Sequence, residues 1–197
     1  VFAPCLLAAL VSIPSTPASP SLALRPLGDV DRLTVERLAD SLRTRLGLCV
    51  TVLEPRPLPR SAYYVPRARW RAEGILADLG RSTDASYGLV LGVTARDISA
   101  TKGAVADWGV FGVAKKGGRA AVVSTRRLSA GGATSALFLS RLSRVAVHEV
   151  AHALGLPHCD AHGCLMNNAD GRIRSVDEAS GFCARCRAAL SAAGVSP

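Results

Sequence analysis

The sequence predicts an α/β (or α+β) fold in which a mixed sheet packs against helices. Three observations carry this. Short apolar runs of strand length alternate with stretches of helical periodicity, which favours a layered α/β arrangement. A lysine-glycine turn between two apolar runs marks a hairpin, which adds an antiparallel pair to that sheet. A long helical stretch late in the chain is followed by a cysteine-rich tail. The 197 residues suffice for one globular domain with a real core. A hydrophobic fraction of 49% with 20% charged residues fits a folded chain. No internal repeat is present.

Residues 1–23 stand apart, apolar from Phe2 to Ile13 and then rich in proline and serine. The apolar run is too short to span a membrane. It resembles a signal-peptide core without a basic start, so an unstructured or signal-like leader is expected there. Residues 24–30 predict a strand and turn. Thr34 is the expected N-cap of a helix carrying Val35, Leu38, Leu42 and Leu46, closed by Gly47. Residues 48–53 form a strand stopped by Pro55, Pro57 and Pro59, and a loop with Tyr63 and Tyr64 follows. Residues 68–79 predict a helix closed by Gly80, and residues 87–94 a buried strand. Residues 108–114 and 119–125 pair about the 115–118 turn. A helix over 134–154 ends at Gly155, and a last helix spans 176–190.

Residues 148–158 read His-Glu-Val-Ala-His-Ala-Leu-Gly-Leu-Pro-His. His148 and His152 are four apart, so both imidazoles lie on one helix face and can reach one ion. Three nitrogen ligands with an open fourth position for water are the requirement of a catalytic zinc. Gly155 lets the chain stop the helix and turn back, so that His158 becomes the third ligand. Glu149 is placed to act as general base on a zinc-bound water. A bare H-E-x-x-H is only suggestive. The full H-E-x-x-H-x-x-G-x-x-H is a chance match of order one in 10⁵ under ordinary residue usage. Leu139, Leu142, Ala146, Val150, Ala153 and Leu154 are expected on the opposite face, anchoring the helix.

Four of the six cysteines fall close behind the motif: Cys159, Cys164, Cys183 and Cys186. Two close pairs ending in C-x-x-C suit a closed structural zinc in a reducing compartment better than a dispersed disulfide framework. Adjacent residues of an extended segment face opposite sides. His158 can therefore face one ion while Cys159 faces a second. Two zinc ions per chain are expected. Cys5, Cys49 and His162 are left as structural.

The histidine motif, the cysteine following it, Cys164-x-Met166 and the late C-x-x-C together resemble the archaemetzincins (archaelysins). The resemblance covers most of residues 24–190 and includes Pro26 to Val30, Trp108 to Gly112 and Ala121 to Ser124. The interval from Met166 to Cys183 is slightly shorter than in that family, and residues 1–23 have no counterpart. The resemblance implies a metzincin-like mixed sheet with packed helices, an active-site helix and a small zinc-stabilised C-terminal part over 156–197. It also implies that 24–197 form a single catalytic domain. Met166 becomes the Met-turn residue beneath the catalytic metal, packing there without being a ligand. A zinc-dependent peptidase acting on peptides or small proteins follows.

Substrate is expected to pair with an edge strand within residues 108–113. Tyr63, Tyr64, Tyr87 and Trp108 are candidate contacts, with Lys102, Lys115 and Lys116 as candidate cations. The formal net charge is +9, with arginine spread along the chain and no dense basic tract. A solvated basic surface explains this better than a nucleic-acid footprint. Two other functions stay open: a zinc hydrolase of non-peptide amides, and a non-catalytic basic zinc module binding nucleic acid. A structural module has no need of Glu149. A monomer without a membrane span is expected, cytoplasmic unless residues 1–23 direct secretion.

Overall fold

A computed structural model describes residues 20–197. The expected leader lies mostly outside the described residues, as does Cys5. Strand β1 is Ser21–Leu27, so this strand begins three residues earlier than expected. Leu22 and Ala23 are buried in the sheet, which removes residues 21–23 from the leader.

Strands β1, β2 (Cys49–Val52), β5 (Leu89–Thr94), β8 (Gly112–Ala114) and β9 (Ala120–Ser124) form a five-stranded sheet in the order β2-β1-β5-β9-β8. The first four in that order run parallel, and β8 is the antiparallel edge. Every residue of β5 and β9 is buried, as expected of parallel strands covered on both faces. Their side chains alternate between two cores. Leu91, Val93, Ala121 and Val123 meet helices α1 (Arg32–Leu46) and α3 (Ser135–Ala153), whereas Val90 and Val122 meet α2 (Ala72–Ser82). The result is helix, sheet and helix in three layers.

A second sheet was not anticipated. Strands β3 (Tyr63–Tyr64), β4 (Arg69–Arg71), β6 (Ile98–Lys102) and β7 (Val105–Val110) form it in that order. The expected strand over 108–114 is thereby divided. Residues up to Val110 belong to β7 in the second sheet, and β8 starts at Gly112 in the first.

Other boundaries move for local reasons. Asp31, not Thr34, caps α1: its carboxylate accepts the Thr34 N–H at 2.8 Å. Ala68 adopts φ 48°, and residues 69–71 pair as β4, with Trp70 packed on Tyr63, so α2 starts at Ala72. That helix runs through Gly80 because Arg119 takes up carbonyls at its end, Gly80 at 3.1 Å and Thr83 at 3.2 Å. The expected last helix is two: α4 (Ile173–Glu178) and α5 (Ala184–Ala192). Residues 180–181 between them bond back to the cysteine loop through Ser180 N–H to Gly163 O and Leu165 N–H to Gly181 O. Helix α3 starts within one residue of the expected position, with Thr134 as its N-cap. Among the described residues, no helix is long and apolar enough to cross a membrane.

Candidate active site

Helix α3 brings the motif to the floor of a cleft. Leu142, Ala146, Val150 and Ala153 are buried as expected, while Leu139 and Leu154 are half-buried. Val145, Val147 and Ala151 are buried too, because sheet, α1 and the C-terminal part cover the helix on nearly every side. The ligand face is the part left partly open.

The end of α3 shows how the third histidine returns. Gly155 has φ 102°, a region that favours glycine. Its N–H donates to His152 O at 2.9 Å, and Leu156 N–H to Ala151 O at 3.0 Å. This paired closure satisfies the last carbonyls of the helix and reverses the chain. Pro157 prevents any continuation, and His158 arrives beside the first two histidines. The His148 and His152 rings meet edge-to-face at 4.5 Å, and His152 and His158 at 4.6 Å. One ring nitrogen from each of the three lies within 4.8 Å of the others, so one ion can be reached by all.

Two carbonyls orient the rings. His148 Nδ1 donates to Leu165 O and His152 Nδ1 to Leu156 O, both at 2.6 Å. A proton held on Nδ1 leaves Nε2 with a free lone pair, the ligand tautomer. Burial pushes His148 down to about 4, helped by the neighbouring His152 and opposed by the Leu165 carbonyl. Burial also lowers His152 and His158, against the Leu156 carbonyl and Asp160 respectively. All three imidazoles are therefore neutral near pH 7, as metal ligands must be.

Glu149 is buried beneath β8. Loss of hydration raises its carboxyl to about 8, and a hydrogen bond from the Ala114 backbone opposes that rise. Gly112 makes the room. A Cβ there would lie 2.6 Å from Glu149 Cγ and 2.9 Å from Oε1. The carboxylate thus occupies the space of a missing side chain on the edge strand.

The four cysteines converge as expected. Cys159 Sγ lies 3.7 Å from Cys183 Sγ, and Cys164 Sγ 3.8 Å from Cys186 Sγ. Metal–sulfur bonds of about 2.3 Å at tetrahedral angles separate sulfurs by roughly 3.8 Å, whereas a disulfide needs about 2.05 Å. The spacing fits a shared ion. Cys183 caps α5 and Cys186 lies in its first turn, where backbone N–H groups favour thiolates. The Ala161 N–H and then the Arg185 guanidinium bring Cys159 down to about 6. Burial pushes Cys186 up. Met166 is fully buried, and its carbonyl accepts the Cys159 N–H at 2.8 Å. Cys49 is an exposed free thiol, and His162 belongs to neither cluster.

A cavity of about 330 Å³ adjoins His148, Glu149, His152 and His158. Trp108 and Lys102 line it as anticipated. Tyr63, Tyr64, Tyr87, Lys115 and Lys116 do not. Lys102 is paired with Asp170 and lies over the Trp108 ring at 4.6 Å. Sequence reasoning missed the loop of Asn167 to Gly171, the two ring-orienting carbonyls, the fit of Gly112 to Glu149, and Arg144. Only Arg144 had a signal, since it precedes His148 by one helical turn.

A family model described as "Peptidase family M54" matches residues 59–192. The archaemetzincin of Haloarcula marismortui is 34% identical over 170 residues, covering 82% of this chain and 94% of that protein. The crystal structure of archaemetzincin from Methanopyrus kandleri is similar with a TM-score of 0.76 and 31% identity, covering 92% of this chain and 98% of that one. The archaemetzincin of Archaeoglobus fulgidus, crystallised with malonate, gives a TM-score of 0.73 and 33% identity, covering 86% and 99%.

Proposed function

Because this chain belongs to peptidase family M54, the archaemetzincins, and is a zinc metallopeptidase, we propose that His148, His152 and His158 hold its catalytic zinc and that Glu149 is its general base. The observation that carries this is the convergence of three neutral, oriented imidazoles beside a buried carboxylate at the wall of a cavity. Zinc bound there supplies the Lewis acidity that lowers the pKa of a water and stabilises charge developing on the scissile carbonyl. Leu165 and Leu156 hold the ligand rings through their carbonyls. Beside a bound cation Glu149 would be held ionised, and its carboxylate would take a proton from water and return it to the leaving nitrogen. Gly112 and the Ala114 N–H keep that carboxylate in position.

Strand β8 is the edge of its sheet, so its outer backbone groups are available to pair with an extended substrate. This narrows the expected edge segment of 108–113 to residues beside Glu149. We assign a second, structural zinc to Cys159, Cys164, Cys183 and Cys186, which braces residues 156–197 within one catalytic unit starting at β1. Gly155 and Met166 are supporting residues, one for the chain reversal and one for packing below the histidines. The substrate is a peptide or small protein, the working form a monomer, and the four thiols suit a reducing compartment such as the cytoplasm.

Elemental analysis under reducing conditions tests the ligand sets. About two zinc ions are expected for the native chain and about one for the His148→Ala/His152→Ala variant, with peptide hydrolysis lost. Unchanged metal in that variant removes the histidines as ligands.

A further inference from the structure

Arg144 stands one helical turn before His148, and both line the cavity beside the ligand face. Its Nη1 donates to the carbonyls of Asp177 at 3.2 Å and Val176 at 3.4 Å, at the end of α4. Helix ends leave such carbonyls without partners, so capping alone accounts for one nitrogen of the guanidinium. Nε and Nη2 have no protein partner among the described residues. The nearby carboxylate of Asp177 is hydrogen-bonded to Arg141, at 2.8 and 2.7 Å, and feels the Arg144 charge without a hydrogen bond to it. The other cation of the cavity wall, Lys102, is bound to Asp170. Val145, Val176 and Ala179, together with Ser175, also line the cavity. The cavity therefore presents one guanidinium edge with unused donors.

We propose that this cavity receives an acidic side chain, from a glutamate or aspartate adjoining the scissile bond, and that Arg144 is the specificity-determining residue binding its carboxylate. The proposal rests on the cleft being the peptidase site. A guanidinium offers two parallel N–H groups that match a carboxylate, and one already anchored through Nη1 loses little freedom on binding. The apolar members of the wall, Val145, Val176 and Ala179, can accommodate the methylenes of the substrate side chain.

The test uses the zinc-loaded full chain and a peptide panel carrying Glu, Gln, Leu or Lys at each residue flanking the bond. Glu should exceed Gln at one flank by about tenfold or more in kcat/KM, a difference of ~1.4 kcal/mol. Arg144→Gln should level the two while Leu peptides are still cut, and Arg144→Glu should shift preference toward Lys. Calorimetric binding of the Glu and Gln peptides to the inert Glu149→Gln protein should show the same ordering. If native protein cuts Glu and Gln peptides equally, or its preference survives in Arg144→Gln, the proposal is overturned and the peptidase assignment is untouched. If no peptide in the panel is cut, the peptidase assignment falls and the proposal falls with it. Should Arg144→Gln fail to fold, Arg144→Lys decides. It keeps the charge without the fork, so a weakened Glu preference is expected, and an undiminished one overturns the proposal.

Discussion

The histidine cluster and the cysteine cluster lie side by side, share one stretch of chain, and differ in how they close. Four sulfurs surround a point from all sides, three of them on buried residues. Three imidazoles surround theirs on one side only, and His158 is exposed. A closed set would leave no position for a reactant, so under the proposed assignment an ion there could only brace. An open set has a vacant direction, and here that direction faces a cavity with Glu149 in its wall. Under the proposed assignment, ligand number, more than ligand identity, would divide support from chemistry.

The largest expected effect breaks the closed side. Cys164→Ser or Cys183→Ser should unfold the C-terminal part, since structural zinc contributes on the order of 10 kcal/mol to small domains. Thermal melting and zinc content should fall together, and a variant with unchanged melting would remove the brace. Chelation attacks the open side instead. A strong chelator should take the histidine-bound zinc first and abolish hydrolysis, with the fold retained by circular dichroism. Simultaneous loss of both ions would erase the distinction.

Glu149→Gln should lower kcat by about 10²–10⁴ with zinc content and melting maintained. Gly112→Ala should displace the same carboxylate and cost about 10²-fold in kcat. Combined with Glu149→Gln it should add little, because both act through one group. Additive losses would show that Gly112 serves something else.

The smallest effect concerns α4, which flanks the cavity. Hydrogen bonds from Arg141 hold the Asp177 carboxyl below the usual range. A depressed folded value means that this contribution is complete above about pH 4, where the unfolded group is ionised, and is lost as pH falls through the folded value. Asp177 is about one-third exposed, at 32%, so solvent screening keeps the effect small. Asp177→Asn should lower Tm by about 2–4 °C at pH 7 and progressively less in acid. A deficit constant down to pH 2 would exclude the ion pair as its source.

Much of this was legible in the sequence, because local rules decided it. Fixed offsets on a helix placed His148 and His152, and Gly155 announced the reversal that delivers His158. The buried strands β5 and β9 announced themselves through unbroken apolar residues. What stayed hidden depended on distant partners. Residues 98–102 lack a strong strand pattern and become β6 by pairing with β4 and β7. Residues 69–71 leave the predicted helix for the same sheet, and Arg119 extends α2 from 36 to 39 positions away. The ring-orienting groups are backbone carbonyls, which carry no residue-specific signal. Gly112 was legible as a glycine, but its reason, the Glu149 carboxylate, is a three-dimensional one.

The Leu165 carbonyl that steadies His148 is itself held from further along the chain. Leu165 N–H bonds to Gly181, and Cys164 on its other side joins the sulfur cluster. A ribosome therefore finishes the entire H-E-x-x-H-x-x-G-x-x-H run well before the chain can fix the orientation of its first histidine. A product truncated just ahead of Gly181 would carry every letter of the motif yet lack the Leu165–Gly181 hydrogen bond and two of the four thiols. The last forty residues thus belong to the same line of contacts that steadies the first histidine of the motif.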